Sequence, residues 1–378
     1  MNINKEIVCC VVGTRPEAIK MAPVILQIAK SKCLQPFVLA TGQHTEMLTQ
    51  PLDFFGISPD VNLSIMRDSQ TLDYITASVL EKTGSVFDEI KPFMVLVHGD
   101  TTTTMAASLA AFYRKTRLGH VEAGLRSGNI NLPFPEELNR IVSDRVSGWW
   151  FPPTTRAMER LIAEGCDPSR VIETGNTVID ALVWASGKVE KPGIPQLEKI
   201  PAGARVMLMT AHRRESWGEP LEGICETVSR ITEIYPDLWV IVPMHKNPQV
   251  REVIKSVLGG NERVLLCEPL DYPDFVWAMN RSAVILTDSG GVQEETTYLR
   301  IPTLVMRDVT ERPEALEYGT SFLVGTDPVR IRKHVSRVLE VDSILERTVE
   351  ETKPPFGKGN ASEKIVETLE EILRTGSR

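Results

Sequence analysis

The stretch Phe93–Lys115, FMVLVHGDTTTTMAASLAAFYRK, decides the fold. Its opening run is apolar at every position, not at every second one, which is the pattern of a strand covered by helices on both faces. His98-Gly99-Asp100 closes the run, and a pattern of helical length follows from Thr101. The same unit stands upstream as EIVCCVVG (Glu6–Gly13), PEAIKMAPVILQIAK (Pro16–Lys30) and PFVLATG (Pro36–Gly42). Short apolar runs alternating with helical patterns predict βαβ units and a buried, doubly wound parallel sheet.

Working outward, the alternation continues through LGHVEAG (Leu118–Gly124), PEELNRIVSDRVS (Pro135–Ser147), WWFPP (Trp149–Pro153) and RVIETGN (Arg170–Asn176). A second series runs from RVMLMTAHR (Arg205–Arg213) through LWVIVPMH, RVLLCEP, AVILTDSGG and PTLVM to SFLVG (Ser321–Gly325). Between the series lies Lys188–Ala204, rich in Lys, Gly and Pro, the best candidate linker. The expectation is two Rossmann-like α/β domains facing each other across a cleft: residues 1–177 joined by a returning C-terminal helix over 361–378, and residues 178–360. A chain of 378 residues exceeds what one core supports, in keeping with two domains.

Apolar residues make up 42% and charged residues 24%, the usage of a globular enzyme. A net charge of -8 without basic runs withholds the footprint of a nucleic-acid or anionic-membrane binder. The six cysteines are scattered with no CxxC spacing, which suits buried thiols in a reducing compartment. With no signal-like or spanning segment read at the N-terminus, the expected location is the cytoplasm. Neither HExxH nor EF-hand spacing occurs, so no metal is expected, and no GxGxxG follows a strand, so no nicotinamide cofactor is expected.

Ligands of open parallel sheets bind beyond the carboxyl ends of the strands. Those ends carry Gly13-Thr14-Arg15, His98-Gly99-Asp100 and His120-Val121-Glu122 in the first half, and His212-Arg213-Arg214, His245 and Asp288-Ser289-Gly290-Gly291 in the second. Position alone leaves Asp100 two readings, a reacting acid or a cap for the next helix. His98 and His120 read as structural histidines. Ser289, Gly290 and Gly291 open a helix and offer backbone donors to a diphosphate, or form an ordinary N-cap. Glu294 and Glu295 could reach ribose or sugar hydroxyls. Arg15, Lys20, His212, Arg213 and Arg312 supply cations in an acidic protein, which favours a bound diphosphate. Glu136 and Glu137 stand in a first helical turn, where at least one is a dipole partner.

GTRPEAIKMAPV, TGQH, VHGDTTTT, HVEAGLRS, PFPEELNR, TGNTVIDAL, HRRE, DSGGVQEE and TERPEA together resemble the non-hydrolysing UDP-N-acetylglucosamine 2-epimerases over nearly the whole chain. The resemblance implies the two-domain architecture of GT-B-like glycosyltransferases, with UDP-N-acetylglucosamine, and UDP in turn, as the ligands between the domains. It assigns the catalytic acids to Asp100, Glu122 and Glu136, with His212 beside the diphosphate. It assigns Arg15, Lys20, Ser289, Gly290, Gly291, Glu295 and Arg312 to the nucleotide, and Phe275 to the uracil, the alternative for Phe275 being core packing. Gln43, His44 and His245 match part of an activator site that some bacterial members have, whereas Ser69 departs from it. A homodimer follows from the resemblance alone. A hydrolysing relative and a non-catalytic sensor are the competing readings.

Overall fold

The computed structural model describes residues 5–42, 45–67, 70–211, 213, 217–340 and 353–376. They form two compact units, Met1–Val183 with Phe356–Arg378, and Trp184–Pro355. The first holds a parallel sheet of β1 (Glu6–Val12), β2 (Leu34–Ala40), β3 (Val61–Asn62), β4 (Met94–His98), β5 (Arg117–Val121) and β6 (Trp149–Phe151), in the order β3-β2-β1-β4-β5-β6. The second holds β7 (Arg205–Thr210), β8 (Leu238–Pro243), β9 (Val264–Cys267), β10 (Val284–Thr287), β11 (Thr303–Val305) and β12 (Ser321–Leu323), in the order β12-β11-β10-β7-β8-β9. Counted from its own first strand, each sheet has the order 3-2-1-4-5-6 of a dinucleotide-binding fold. Chain direction across the sheet reverses between β1 and β4, and between β7 and β10. The loops after those four strands are therefore where a crevice opens.

The apolar runs form strands because both of their faces are buried. Met94, Val95, Leu96 and Val97 are fully buried in β4. On one face of the first sheet, Cys9, Val11, Val95 and Val97 meet Ala106, Ala107, Ala110 and Ala111 of the helix Thr102–Tyr113. Those alanines let the helix backbone sit close to the strands. In the second unit Met207, Met209, Val240, Val242 and Leu286 meet Leu221, Ile224, Cys225 and Val228 of the helix Glu219–Ile234. Each large aliphatic side chain so buried contributes about 1.5–3 kcal/mol.

The last helix, Ala361–Thr375, packs on the first unit through Ile365, Val366, Leu369 and Ile372. Its first turn is capped from a distance: Asp180 accepts the N–H groups of Ala361 (3.1 Å) and Ser362 (2.8 Å) and the Ser362 hydroxyl (2.6 Å). The units part a little outside the junctions expected at 177/178 and 360/361. Ile179 and Leu182, on the helix Thr177–Ser186, are fully buried, and the carbonyl of the buried Phe356 accepts the Asn176 N–H at 2.8 Å, so both segments stay with the first unit. Lys188–Ala204 is not a free linker. Gly193 donates its N–H to Asp274 at 2.5 Å, and the Arg281 guanidinium bonds the carbonyls of Pro201, Ala202 and Ala204 within the second unit. Lys, Gly and Pro there mark irregular backbone that is nonetheless packed.

All six cysteines are free thiols, and five of them are buried. Among the described residues no helix is long and apolar enough to cross a membrane.

Candidate active site

At the first sheet's switch point β1 ends in Gly13, followed by Thr14 as N-cap of the helix Arg15–Lys30. Glu17 completes a capping box and accepts the N–H groups of Gly13 (2.8 Å) and Thr14 (2.7 Å). Its other oxygen accepts the hydroxyls of Thr101 (2.5 Å) and Thr104 (2.9 Å), from the start of the helix that follows β4. Burial pushes the Glu17 carboxyl up despite these bonds. Glu17 thus ties the loops after β1 and β4 together, a role hidden in the sequence because its partners lie more than eighty residues away.

Glu122 follows β5 with φ 64°, a left-handed conformation costly for a residue with a side chain and the kind of departure that clusters at functional sites. Its backbone N–H is held by the Phe151 carbonyl at 3.1 Å. Its Oε2 pairs with the Lys20 ammonium, accepts the Asn176 amide at 2.7 Å and faces His98 Nε2 at 3.8 Å. The structure therefore joins Lys20 to Glu122. Burial pushes the His98 imidazole down to about 3, with Glu122 opposing and Lys20 assisting, so His98 is neutral.

Asp100 follows β4, beside Glu122. Its carboxylate pairs with Arg140, and its backbone carbonyl accepts the Asn139 amide at 3.0 Å. Asn139 and Arg140 belong to the helix Glu136–Val146, so they fix its first turn against Asp100. Glu136 sits at the start of that helix, three and four residues ahead of them and on the same face. It is half-buried and has no ion pair among the described residues. The adjoining Glu137 is buried and accepts the N–H groups of Ser127 (2.9 Å) and Gly128 (3.1 Å) and an Arg140 N–H (3.2 Å). Of the two first-turn acids it is Glu137 that holds the preceding loop. Behind them His120 is held by Asp144 (2.6 Å) and the Gly99 carbonyl (2.8 Å), a structural histidine supporting the Gly99-Asp100 turn.

In the second unit β10 ends at the buried Asp288, which accepts the Arg213 N–H at 2.8 Å and so joins the ends of β10 and β7. Ser289 is the N-cap of the helix Gly290–Leu299, and its side chain makes no capping bond. A Cβ on Gly290 would meet nothing within 4 Å, and one on Gly291 only the Ser289 hydroxyl at 4.0 Å. Neither glycine has a positive φ, so nothing among the described residues demands glycine there. Among the described residues no side chain caps this helix start, an arrangement able to receive phosphate.

Arg312 pairs with the buried Glu294, and its other N–H groups include a bond to the Glu311 carbonyl at 3.2 Å. Glu295 is buried and Phe275 half-buried. His245 is half-buried, accepts the Asn247 N–H at 3.2 Å and lies 6.0 Å from the Trp217 ring. Arg15 is half-buried at the first turn of its helix. His212, Gln43 and His44 lie outside the described residues. Among the described residues no group of acids, histidines and cysteines could hold a metal.

Sequence reasoning missed Glu17, Asn139, Arg140 and Asn176. Two of them carried a local signal: Glu17 by its Thr14-x-x-Glu17 capping-box spacing, and Asn176 by its place directly before a helix.

Residues 26–370 match the family model described as UDP-N-acetylglucosamine 2-epimerase. The chain is similar to a UDP-N-acetylglucosamine 2-epimerase of Escherichia coli K12, 45% identical over 368 residues, covering 96% of this chain and 98% of the relative. It is likewise similar to the crystal structure of a Neisseria meningitidis UDP-GlcNAc 2-epimerase bound to UDP-GlcNAc, with 44% identity, TM-score 0.87 and coverage of 97% and 100%. A glycosyltransferase from Rickettsia africae, 15% identical with TM-score 0.63, shares the fold alone. With two parallel sheets of the same strand order, and relatives at this identity spanning nearly its entire length, the chain belongs to the UDP-N-acetylglucosamine 2-epimerase family.

Proposed function

We propose that the protein interconverts UDP-N-acetylglucosamine and UDP-N-acetylmannosamine by eliminating UDP and adding it back. The observation that carries this reading is the gathering of Asp100, Glu122 and Glu136 at one end of the first sheet, two of them paired with cations and Glu136 without an ion pair among the described residues.

C2 of the sugar bears an acetamido group, so simple oxidation there cannot yield a ketone through which the centre inverts. Elimination is the direct route. The C1–O bond breaks, its electron pair leaves with UDP, and positive charge at C1 makes the C2 proton acidic. A carboxylate takes that proton, and a 2-acetamidoglucal remains with UDP bound. In the return step a proton reaches C2 from the opposite face, and a diphosphate oxygen re-forms the bond to C1. Inversion thus needs a proton-transfer group on each face. Asp100 and Glu136 are the pair, and Glu122 orients the sugar.

In the second unit the helix start at Ser289, Gly290 and Gly291 stabilises the departing diphosphate as its charge develops, with His212 and Arg213 contributing donors. Glu295, Arg312 and Phe275 take the rest of the nucleotide. The Neisseria relative's bound UDP-GlcNAc supports this choice of ligand. The protein works as a cytoplasmic homodimer supplying a precursor of surface polysaccharide.

Incubation with UDP-N-acetylglucosamine in deuterated water, followed by NMR of the products, tests the reading. Deuterium at C2 of both UDP-sugars with little free sugar is expected. Free N-acetylmannosamine plus UDP would make it a hydrolysing enzyme, and unchanged substrate would overturn the assigned substrate.

A further inference from the structure

We infer that Asn176 is a positioning residue for the reaction, its amide fixing the direction of the Glu122 carboxylate. The inference rests on the reading of Glu122 as an acid of the reacting site.

Asn176 is buried, and its side chain is used from both ends. Its Oδ1 accepts the Val178 N–H at 3.1 Å, capping the helix Thr177–Ser186, and its Nδ2 donates to Glu122 Oε2 at 2.7 Å. The cap settles which way the amide faces. A flip would set the amide oxygen against a carboxylate oxygen and the NH2 group against a backbone N–H, and both contacts are repulsive. The backbone is pinned as well. The Asn176 N–H donates to the Phe356 carbonyl at 2.8 Å, and at Gly175 and Gly357 the two chains pass so close that a Cβ on either would stand 3.1 Å from the other's Cα. The direction of the Glu122 carboxylate is therefore set through Asn176 by the returning segment near Phe356.

Lys20 and His98 also face Glu122. Lys20, from the helix Arg15–Lys30, supplies a positive charge to the same oxygen, but on a four-carbon stem that leaves its direction loose. His98, on β4, stands 3.8 Å from that oxygen, beyond hydrogen-bond reach. It is neutral in the buried site, with the His120 ring next to it. Lys20 thus supplies charge and Asn176 direction. A carboxylate fixed in direction needs no reorientation in the transition state, so its positioning should be read in turnover more than in substrate affinity.

The test uses the full chain with N176S and N176D. Ser and Asp are both good N-caps, so each variant keeps the helix start. N176S removes the donor to Glu122, and N176D places a second negative charge against it. We expect N176S to melt close to wild type and to lose turnover by roughly 10-fold or more at near-constant KM, the effect of losing a hydrogen bond to a charged group. We expect N176D to move the acid limb of the kcat–pH profile to higher pH, because a neighbouring carboxylate favours the protonated form. Should N176S fail to fold, the isosteric N176D carries the test. Wild-type turnover and pH profile in the folded variants, or a fall in melting temperature with no change in either, would overturn the inference. E122Q separates the two readings. An active E122Q removes Glu122 from the reaction, whereas an inactive E122Q beside wild-type Asn176 variants removes only the positioning role.

Discussion

Gly290→Ala separates what the second unit needs for folding from what it needs for binding. Among the described residues the new methyl would meet no atom beyond its own helix and chain neighbours within 4 Å, and Gly290 has no positive φ, so the folded state accommodates alanine without strain. Glycine to alanine at such a position stabilises by about 0.4–1 kcal/mol, because the unfolded chain loses freedom. For a unit of this size that is a rise of roughly 1–4 °C in Tm. The same methyl projects into the space above the helix start, where a diphosphate would rest on the backbone N–H groups. Displacing one charge-assisted hydrogen bond costs about 1.5–3 kcal/mol, or roughly 10- to 100-fold in affinity. Scanning calorimetry of the unliganded protein gives the first quantity, and titration with UDP gives the second. Unchanged UDP affinity would show that the open space at Gly290 is not where phosphate binds. A fall in Tm of several degrees would show that the glycine serves the fold.

Glu136→Gln should lower turnover by about 10²–10⁴-fold with Tm unchanged, whereas Glu137→Gln should lower Tm, since Glu137 is buried under two backbone N–H groups and Arg140; steady-state kinetics beside thermal melts distinguish them. Asp144→Asn should destabilise by about 3–5 kcal/mol in urea titration at neutral pH, because it weakens a buried site contacting His120 and Arg126. Burial alone would raise the Asp144 carboxyl, but His120 and Arg126 hold it below its ordinary value. Its stabilisation is therefore present above the unfolded value and lost as pH falls through the folded one. His98 has its folded value lowered to about 3. The neutral form is favoured by folding, so its contribution is full above the unfolded value near ~6.5 and is lost at up to about 1.4 kcal/mol per pH unit as pH falls toward the folded value. Urea titrations at pH 7, 6 and 5 should show that slope in wild type and a flatter one in His98→Gln.

Much of the fold was legible because parallel strands covered on both faces write themselves as unbroken apolar runs, as in Met94–Val97. The order of strands was not legible, since it depends on which way each crossover runs and not on the strand's own residues. Lys188–Ala204 misled because Pro and Gly signal irregular backbone equally well in a linker and in a packed segment. In the site, Asp100 and Glu122 could be found from their places after strands, and the glycines at 290 and 291 from theirs before a helix. The residues that set the acids in place could not be found this way. Arg140 reaches Asp100 across 40 positions and Asn176 reaches Glu122 across 54, so only folding brings them together. Lys20 and Arg312, read as diphosphate cations, also pair with Glu122 and Glu294, partners that only tertiary structure displays.

The two sheets share one strand order and differ in what they place at its reversal. The first puts carboxylates after β4 and β5 and holds them with Arg140, Lys20 and Asn176. The second puts a buried acid, Asp288, underneath, where it fixes the Arg213 backbone, and leaves the exposed end to glycines and backbone donors. That difference matches the chemistry proposed for each end. A diphosphate leaves and returns without covalent bonds to protein, so uncharged donors of little bulk at a helix start are sufficient for it. Proton transfer at a carbon demands a base whose direction is fixed, and fixing it requires partners from several distant segments. On the proposed function, the same fold can therefore be built simply at the end that receives phosphate, while the end that carries the acids depends on contacts that local sequence does not display.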